Sequence, residues 1–262
     1  MGEIRHRDSG EVLHRYEGDS PAGSRLAGVQ LLRADLAGLN LSGTDLRGAN
    51  LCDTDLTGAD LRDAVLVHAD LSGAVMIGAR CDNARLTDAS LLGVDFSEAV
   101  FDGAELTRTT FKLSFLTGAG PSFKNAILGR AYLAHCLLRG ADFTGADCTE
   151  AVFTGSHLKG ARFDGASLIG AVFGGVKLGG ASFRHADLTL ALFRDADLAD
   201  ADFAEAVFGG TVVARSPSLA RARGLDGIRH AAESSLDRAT LAGGLPAEFL
   251  EDSGQPPASN PG

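Results

Sequence analysis

The chain of 262 residues contains no tryptophan, only two methionines and two tyrosines, and seven prolines. Its four cysteines, Cys52, Cys81, Cys136 and Cys148, are scattered. A metal centre needs convergent Cys or His at ligand spacing, and none is present, so the thiols read as small buried hydrophobes in a reducing compartment. Long apolar runs are missing too. Nothing approaches the ~18 residues of a membrane span, and the charged start, residues 1–8, is no signal peptide. Cytoplasmic location and no membrane contact are therefore expected. A basic excess is also absent. The formal charge of −10 argues against direct nucleic-acid binding.

Catalytic signatures are lacking as well. The histidines (His6, His14, His68, His135, His157, His185 and His230) pair with no Cys or Ser in a nucleophile motif. No H-E-x-x-H or Walker-type loop occurs. Neither an enzyme nor a cofactor is expected.

What the chain does have is a beat of five. From Leu26 to Leu116, and again from Phe123 to Phe208, nearly every fifth residue is large and apolar. Two positions before this centre sits a small residue, as in Ala49-Asn50-Leu51 and Ala141-Asp142-Phe143. A period of five matches neither the 3.6 of a helix nor the two of a strand, so a structural repeat sets it. The small residue and the centre share parity and point inward, while the residue between them points outward. The next two residues are commonly polar then Gly, as in Arg47-Gly48 and Lys159-Gly160, which suits a tight corner. Each pentapeptide is thus one side and one corner of a coil, and stacked coils satisfy each other's backbone.

The phenylalanines set the number of sides. From Phe143 to Phe203 they recur every ten residues, with Leu or Cys between. That alternation fits a four-sided coil of twenty residues, with ladders such as Phe153, Phe173 and Phe193. The A(D/N)LXX pattern resembles the pentapeptide-repeat proteins over 24–213. The resemblance implies an all-β solenoid, a right-handed quadrilateral parallel β-helix. Counting centres gives 38 pentapeptides, about nine coils and a half, or roughly 45 Å of rod at ~4.8 Å each.

The register breaks once, between Leu116 and Phe123, where two extra residues read as a bulge at a corner. Residues 1–23 are expected to be an N-terminal hairpin cap, with strands at 3–7 and 11–16, and a linker. After Val213 the pattern stops. A helical cap is expected over 214–252, starting at Ser216-Pro217 with a second helical stretch from Ser234 or Ser235 to Leu241. A disordered tail is expected over 253–262.

Two surfaces stand out. Sorting the outward residues into twenty-residue columns aligns Tyr132, Val152, Val172, Leu192 and Val212, an apolar stripe about 19 Å long and a candidate protein interface, most simply a homodimer. Asp195, Asp197, Asp200, Asp202 and Glu205 concentrate acid in the last coils, although the repeats as a whole carry only a modest excess, 23 Asp and Glu against 16 Lys and Arg over 24–213. The expected function is a non-catalytic interaction scaffold with an unidentified protein partner. The resemblance supplies an alternative, since the quinolone-resistance group of such proteins uses acidic rods to bind type II topoisomerase in place of duplex DNA.

Overall fold

The computed structural model describes residues 1–116, 118–230 and 234–236. The five-residue beat becomes a tube. Its bore is filled by the centres: Leu31, Leu36, Leu41 and Leu46 have no exposed surface, and neither do Phe143, Phe153 and Phe163 far along the chain. The small residues beside them, Ala59, Ala141 and Ala201 among them, are also fully buried.

Parallel bridges join positions twenty apart: Arg25 to Asp45, Asp45 to Val65, Val65 to Arg85. Four pentapeptides therefore make one turn, as the phenylalanine alternation predicts. Phe153 stacks on Phe173, with ring centroids 5.0 Å apart and 3° between planes, and Phe163 on Phe183 at 5.1 Å and 5°. The two stacks meet edge-on across the bore, Phe163 to Phe173 at 6.0 Å and 86°. Offset and edge-on ring contacts are the favourable ones, so each coil fixes the rotamers of its neighbours.

The pentapeptide 46–50 shows why the repeat has its composition. It offers five N–H donors, and backbone carbonyls take four. Leu46 donates to Val65 at 2.8 Å, Gly48 to Val67 at 2.9 Å, Ala49 back to Leu46 at 3.0 Å, and Asn50 to Val29 at 3.0 Å. The fifth donor, Arg47, has no carbonyl. It donates instead to the side chain of Asp45 at 3.2 Å. The same contact recurs from Cys52 to Asn50, Thr57 to Asp55, Thr144 to Asp142 and Thr189 to Asp187. The outward Asp or Asn is thus more than a polar surface residue; it caps the corner amide, as Asp and Asn do in local turns. Where a hydroxyl replaces the small inward residue it is satisfied as well: Thr109 donates to the Leu86 carbonyl at 2.8 Å, and Ser114 to that of Leu91 at 2.7 Å.

At the break, Val100 pairs with Ser122 and Glu105 with Ile127, a step of 22 that absorbs the two extra residues, after which the step of twenty resumes. Backbone contacts tie the bulge down, Glu98 N–H donating to the Ala119 carbonyl at 3.0 Å.

At the N-terminus, β1 (Gly2–His6) pairs antiparallel with β2 (Val12–Tyr16) and, on its other edge, with β3 (Ala34–Asp35). Ile4 reaches the core and is fully buried. An edge of the first coil is thereby covered rather than left open.

The expected helical cap is corrected. After Val213 the chain makes two short 3-10 turns, Pro217–Arg221 and Leu225–Gly227, and keeps winding. Arg223 bridges to Asp202 and Arg229 to Val207, and Ser235–Leu236 pairs in parallel with the Val212–Ala214 strand. The steps lengthen to 21, 22 and 23 residues, because each successive corner carries one residue more than the regular repeat. Pro217 does start a helical turn, but a 3-10 one, and Ser235 lies in a strand where a helix was expected. The reason is local. A corner tolerates extra residues as long as one residue per side still pairs, and Leu219 and Leu225, both buried, close the bore in place of regular centres. The expected stretch 237–241, the rest of the cap and the tail 253–262 lie outside the described residues.

Candidate interaction surface

The stripe predicted from the columns is contiguous. Tyr132 bridges to Val152 and Val152 to Val172. Strand Val172–Gly174 then pairs in register with Leu192–Arg194, and that strand with Val212–Ala214, so that Val172, Leu192 and Val212 align. All five outward side chains keep solvent contact: Tyr132 is exposed and the other four are half-buried. A ladder of Tyr, Val and Leu side chains on one sheet face presents apolar surface of the kind found at interfaces.

The columns missed two members. Ile169 lies three residues before Val172 and Leu190 two before Leu192, on the corner that borders the stripe, and both are exposed, Leu190 by 64%. Leu190 leans over the next coil, so that a Cβ placed on Gly210 would come within 2.9 Å of its methyl group. Corner positions are otherwise mostly Gly, polar or charged. An apolar residue at two of them beside an apolar column was the available signal.

The five acidic residues are not brought together. Asp197 continues the column of Lys177, and Asp202 that of Ser182, on different sides of the rod. Asp195, Asp200 and Glu205 occupy the corners between, each with positive φ. Four of them face a basic group on a neighbouring coil: Asp195 with Arg215, Asp202 with Arg184 at 3.1 Å, Asp200 with Arg221 at 3.4 Å, and Glu205 with His185 at 3.5 Å. The carboxylates spread over half a turn of the rod, and three of them face an arginine, rather than forming one continuous negative face.

The thiols offer little chemistry. Cys81, Cys136 and Cys148 are buried, and burial drives the Cys136 thiol up to about 12. Cys52, partly exposed, is pushed up to about 11 by desolvation and by its hydrogen bond to Asp70. A thiol is nucleophilic only as thiolate, so all four are poorly reactive near neutral pH. Among the described residues, no helix is long and apolar enough to cross a membrane.

Comparison with known proteins places this architecture. The "Pentapeptide repeats" family matches in eight copies, over 22–53, 45–80, 54–91, 79–118, 122–147, 146–184 and 171–210. No curated protein matches the chain. Among solved structures it is similar to HetL, a pentapeptide repeat protein involved in heterocyst differentiation regulation from the cyanobacterium Nostoc sp. strain PCC 7120. The identity is 29%, over 78% of this chain and 88% of that one, with a TM-score of 0.46. It is similar also to Rfr23 from the cyanobacterium Cyanothece 51142, 21% identical over 43% of this chain and 61% of that one, with a TM-score of 0.29. QnrB1, a plasmid-mediated fluoroquinolone resistance protein, is 19% identical over 83% of this chain and 97% of that one, with a TM-score of 0.32. The repeat matches far more than half of the sequence and the bridges follow its twenty-residue turn, so this chain belongs to the pentapeptide repeat family, whose members wind as right-handed quadrilateral β-helices.

Proposed function

We propose that the protein is a non-catalytic, cytoplasmic interaction scaffold that docks a protein partner on the side carrying Tyr132, Val152, Val172, Leu192 and Val212. The observation that supports this is the unbroken apolar ladder, widened at its corner by Ile169 and Leu190. A second copy of the chain is the simplest occupant, because two flat sheet faces of identical pattern pack on one another about a twofold axis. A stripe one residue wide covers less than the ~800 Å² per partner of a stable interface, so the flanking corners take part.

Acidic duplex mimicry of the kind used against type II topoisomerases draws less support, because the candidate carboxylates lie on two sides of the rod and three of them pair with arginine. The test is the mass in solution of the wild-type chain and of Val172→Asp. A wild-type dimer converted to a folded monomer supports the reading. A monomer in both cases removes the homodimer, and if partner capture is also the same for both proteins, the stripe is not an interface.

A further inference from the structure

On the side next to the stripe, the chain reads Lys177-Leu178-Gly179-Gly180. Two consecutive glycines remove both side chains of one corner and leave a depression of about 320 Å³. Arg139, His157, Lys159 and Lys177 stand around it, contributed by three successive coils. We propose that this depression binds a compact oxyanion of the phosphate class.

Three independent features carry the assignment. The first is unspent charge. Most arginines of this acidic chain are held in ion pairs with a neighbouring carboxylate, yet Arg139, Lys159 and Lys177 make none among the described residues. The second is unspent backbone. At some corners an Asp or Asn two residues earlier accepts the amide, as Asp45, Asp55 and Asp142 do; at the rest another residue holds that position, here Leu137, His157 and Lys177. The N–H groups of Arg139, Lys159 and Gly179 consequently make no hydrogen bond among the described residues. Cationic side chains beside oriented amide donors are the ordinary make-up of an oxyanion site. The third is the bare corner. Gly179 and Gly180 line the depression without side chains, and a Cβ on Gly180 would meet nothing within 4 Å. The charges of Lys177 and Arg139 also bear on His157, where they join burial in disfavouring the imidazolium. A bound anion would relieve that repulsion.

The two ends of the trough decide the size of the ligand. At one end the bulge closes it, since a Cβ on Gly120 would fall 2.5 Å from the Arg139 carbonyl. At the other end stand Asp197 and Asp200. Asp197 accepts the Ala199 amide at 3.2 Å and Asp200 pairs with Arg221 at 3.4 Å, but both keep the far rim negative. Between these limits lie three coils, the first and last of them two steps, about 10 Å, apart. A polynucleotide running along the rod would cross the carboxylates, whereas a single phosphate group fits on the cationic side.

The test is a titration of the full, 15N-labelled chain at constant ionic strength, with inorganic phosphate in one arm, glycerol 2-phosphate in a second, and chloride as control. Saturable shifts of the Arg139, Lys159 and Gly179 amides and of the His157 ring are expected. Saturation by both ligands marks recognition of the phosphate group itself, and saturation by one alone names free phosphate or a monoester as the source. Lys177→Asp restores the residue type the repeat uses elsewhere, reverses one charge, and is expected to weaken binding by about tenfold or more. Lys159→Ala, a surface truncation, is expected to weaken it in the same direction. Shifts that never saturate in either arm, or that saturate alike in wild type and both folded variants, would mean an adventitious ion only and would overturn the proposal.

Discussion

Phe173 lies parallel over Phe193, with ring centroids 4.7 Å apart and 4° between planes. The pair is the register of the whole tube seen at one point: a contact twenty residues apart exists only if four pentapeptides close one turn. Because Phe173 also meets Phe163 and Phe183 edge-on, its ring touches three coils. Phe173→Ala is expected to lower stability by about 3–5 kcal/mol, and Phe173→Leu, which keeps most of the volume, by about 1–2 kcal/mol. Urea unfolding of both variants checks this. A leucine variant as stable as the wild type would show that ring stacking contributes nothing beyond filling the bore.

The corners impose a different constraint. Gly165 has φ of 64°, and a Cβ there would meet nothing within 4 Å. Space is available, but the left-handed backbone is not free for every side chain. Equivalent corners elsewhere accept Asn83, Asp88 and Glu98 at φ of 56–59°. Gly165→Asn is therefore expected to be nearly neutral, whereas Gly165→Val should cost about 2 kcal/mol, because a branched Cβ crowds the carbonyl in this region. Thermal unfolding of the two variants gives the comparison, and a harmless valine would contradict the assigned backbone.

These two cases show what the sequence made legible. The centre positions, the four-sided turn and the column Tyr132 to Val212 follow from spacing alone, because a solenoid maps sequence period directly onto space. The continued winding after Val213 does not, since it depends on corners of unequal length, 21 to 23 residues per turn, that carry no repeated residue. The trough at Gly179-Gly180 was also hidden. It depends on Arg139, Lys159 and Lys177, each about twenty residues from the next, being brought to one corner without a carboxylate partner. Likewise, five acids close in sequence looked like a patch, yet a turn of twenty residues spreads them over two sides of the rod.

Capping by carboxylates makes the fold sensitive to acid. The side-chain hydrogen bonds of Arg47, reinforced by its backbone amide against a desolvation cost, hold the Asp45 carboxyl at about 2. Arg62, Arg108 and Arg130 lower Asp60, Asp88 and Glu150 in the same way. A carboxyl depressed in the folded state stabilises it above the unfolded value of about 3.9, and the contribution is lost as pH falls through the folded value. Each exposed pair is worth little, but the contributions share a sign. These carboxyls leave the urea midpoint unchanged from neutral pH to about 5 and are expected to make it fall steadily from about 4 toward 2. Asp45→Asn, which keeps an acceptor for the Arg47 amide, should make that fall shallower. A midpoint unchanged down to pH 2 would show that the carboxylates titrate alike in the folded and unfolded chain.

His157 acts in the same direction, but nearer neutral pH. Burial comes first, and then the charges of Lys177 and Arg139, in holding its imidazole below the usual histidine value. A histidine depressed in the folded state binds its proton more readily when the chain unfolds, so its contribution favours the fold at higher pH and is withdrawn as pH drops through the unfolded value of about 6.5. In a proton NMR titration His157 should ionise below that value, and Lys177→Ala should move it upward by removing one of the two named charges. If the variant leaves the midpoint where it was, Lys177 does not reach the ring, and desolvation, with Arg139 at most, accounts for the depression. That outcome would also separate Lys177 from the rim of the trough, since an ammonium group that shares the depression with the imidazole must act on its charge.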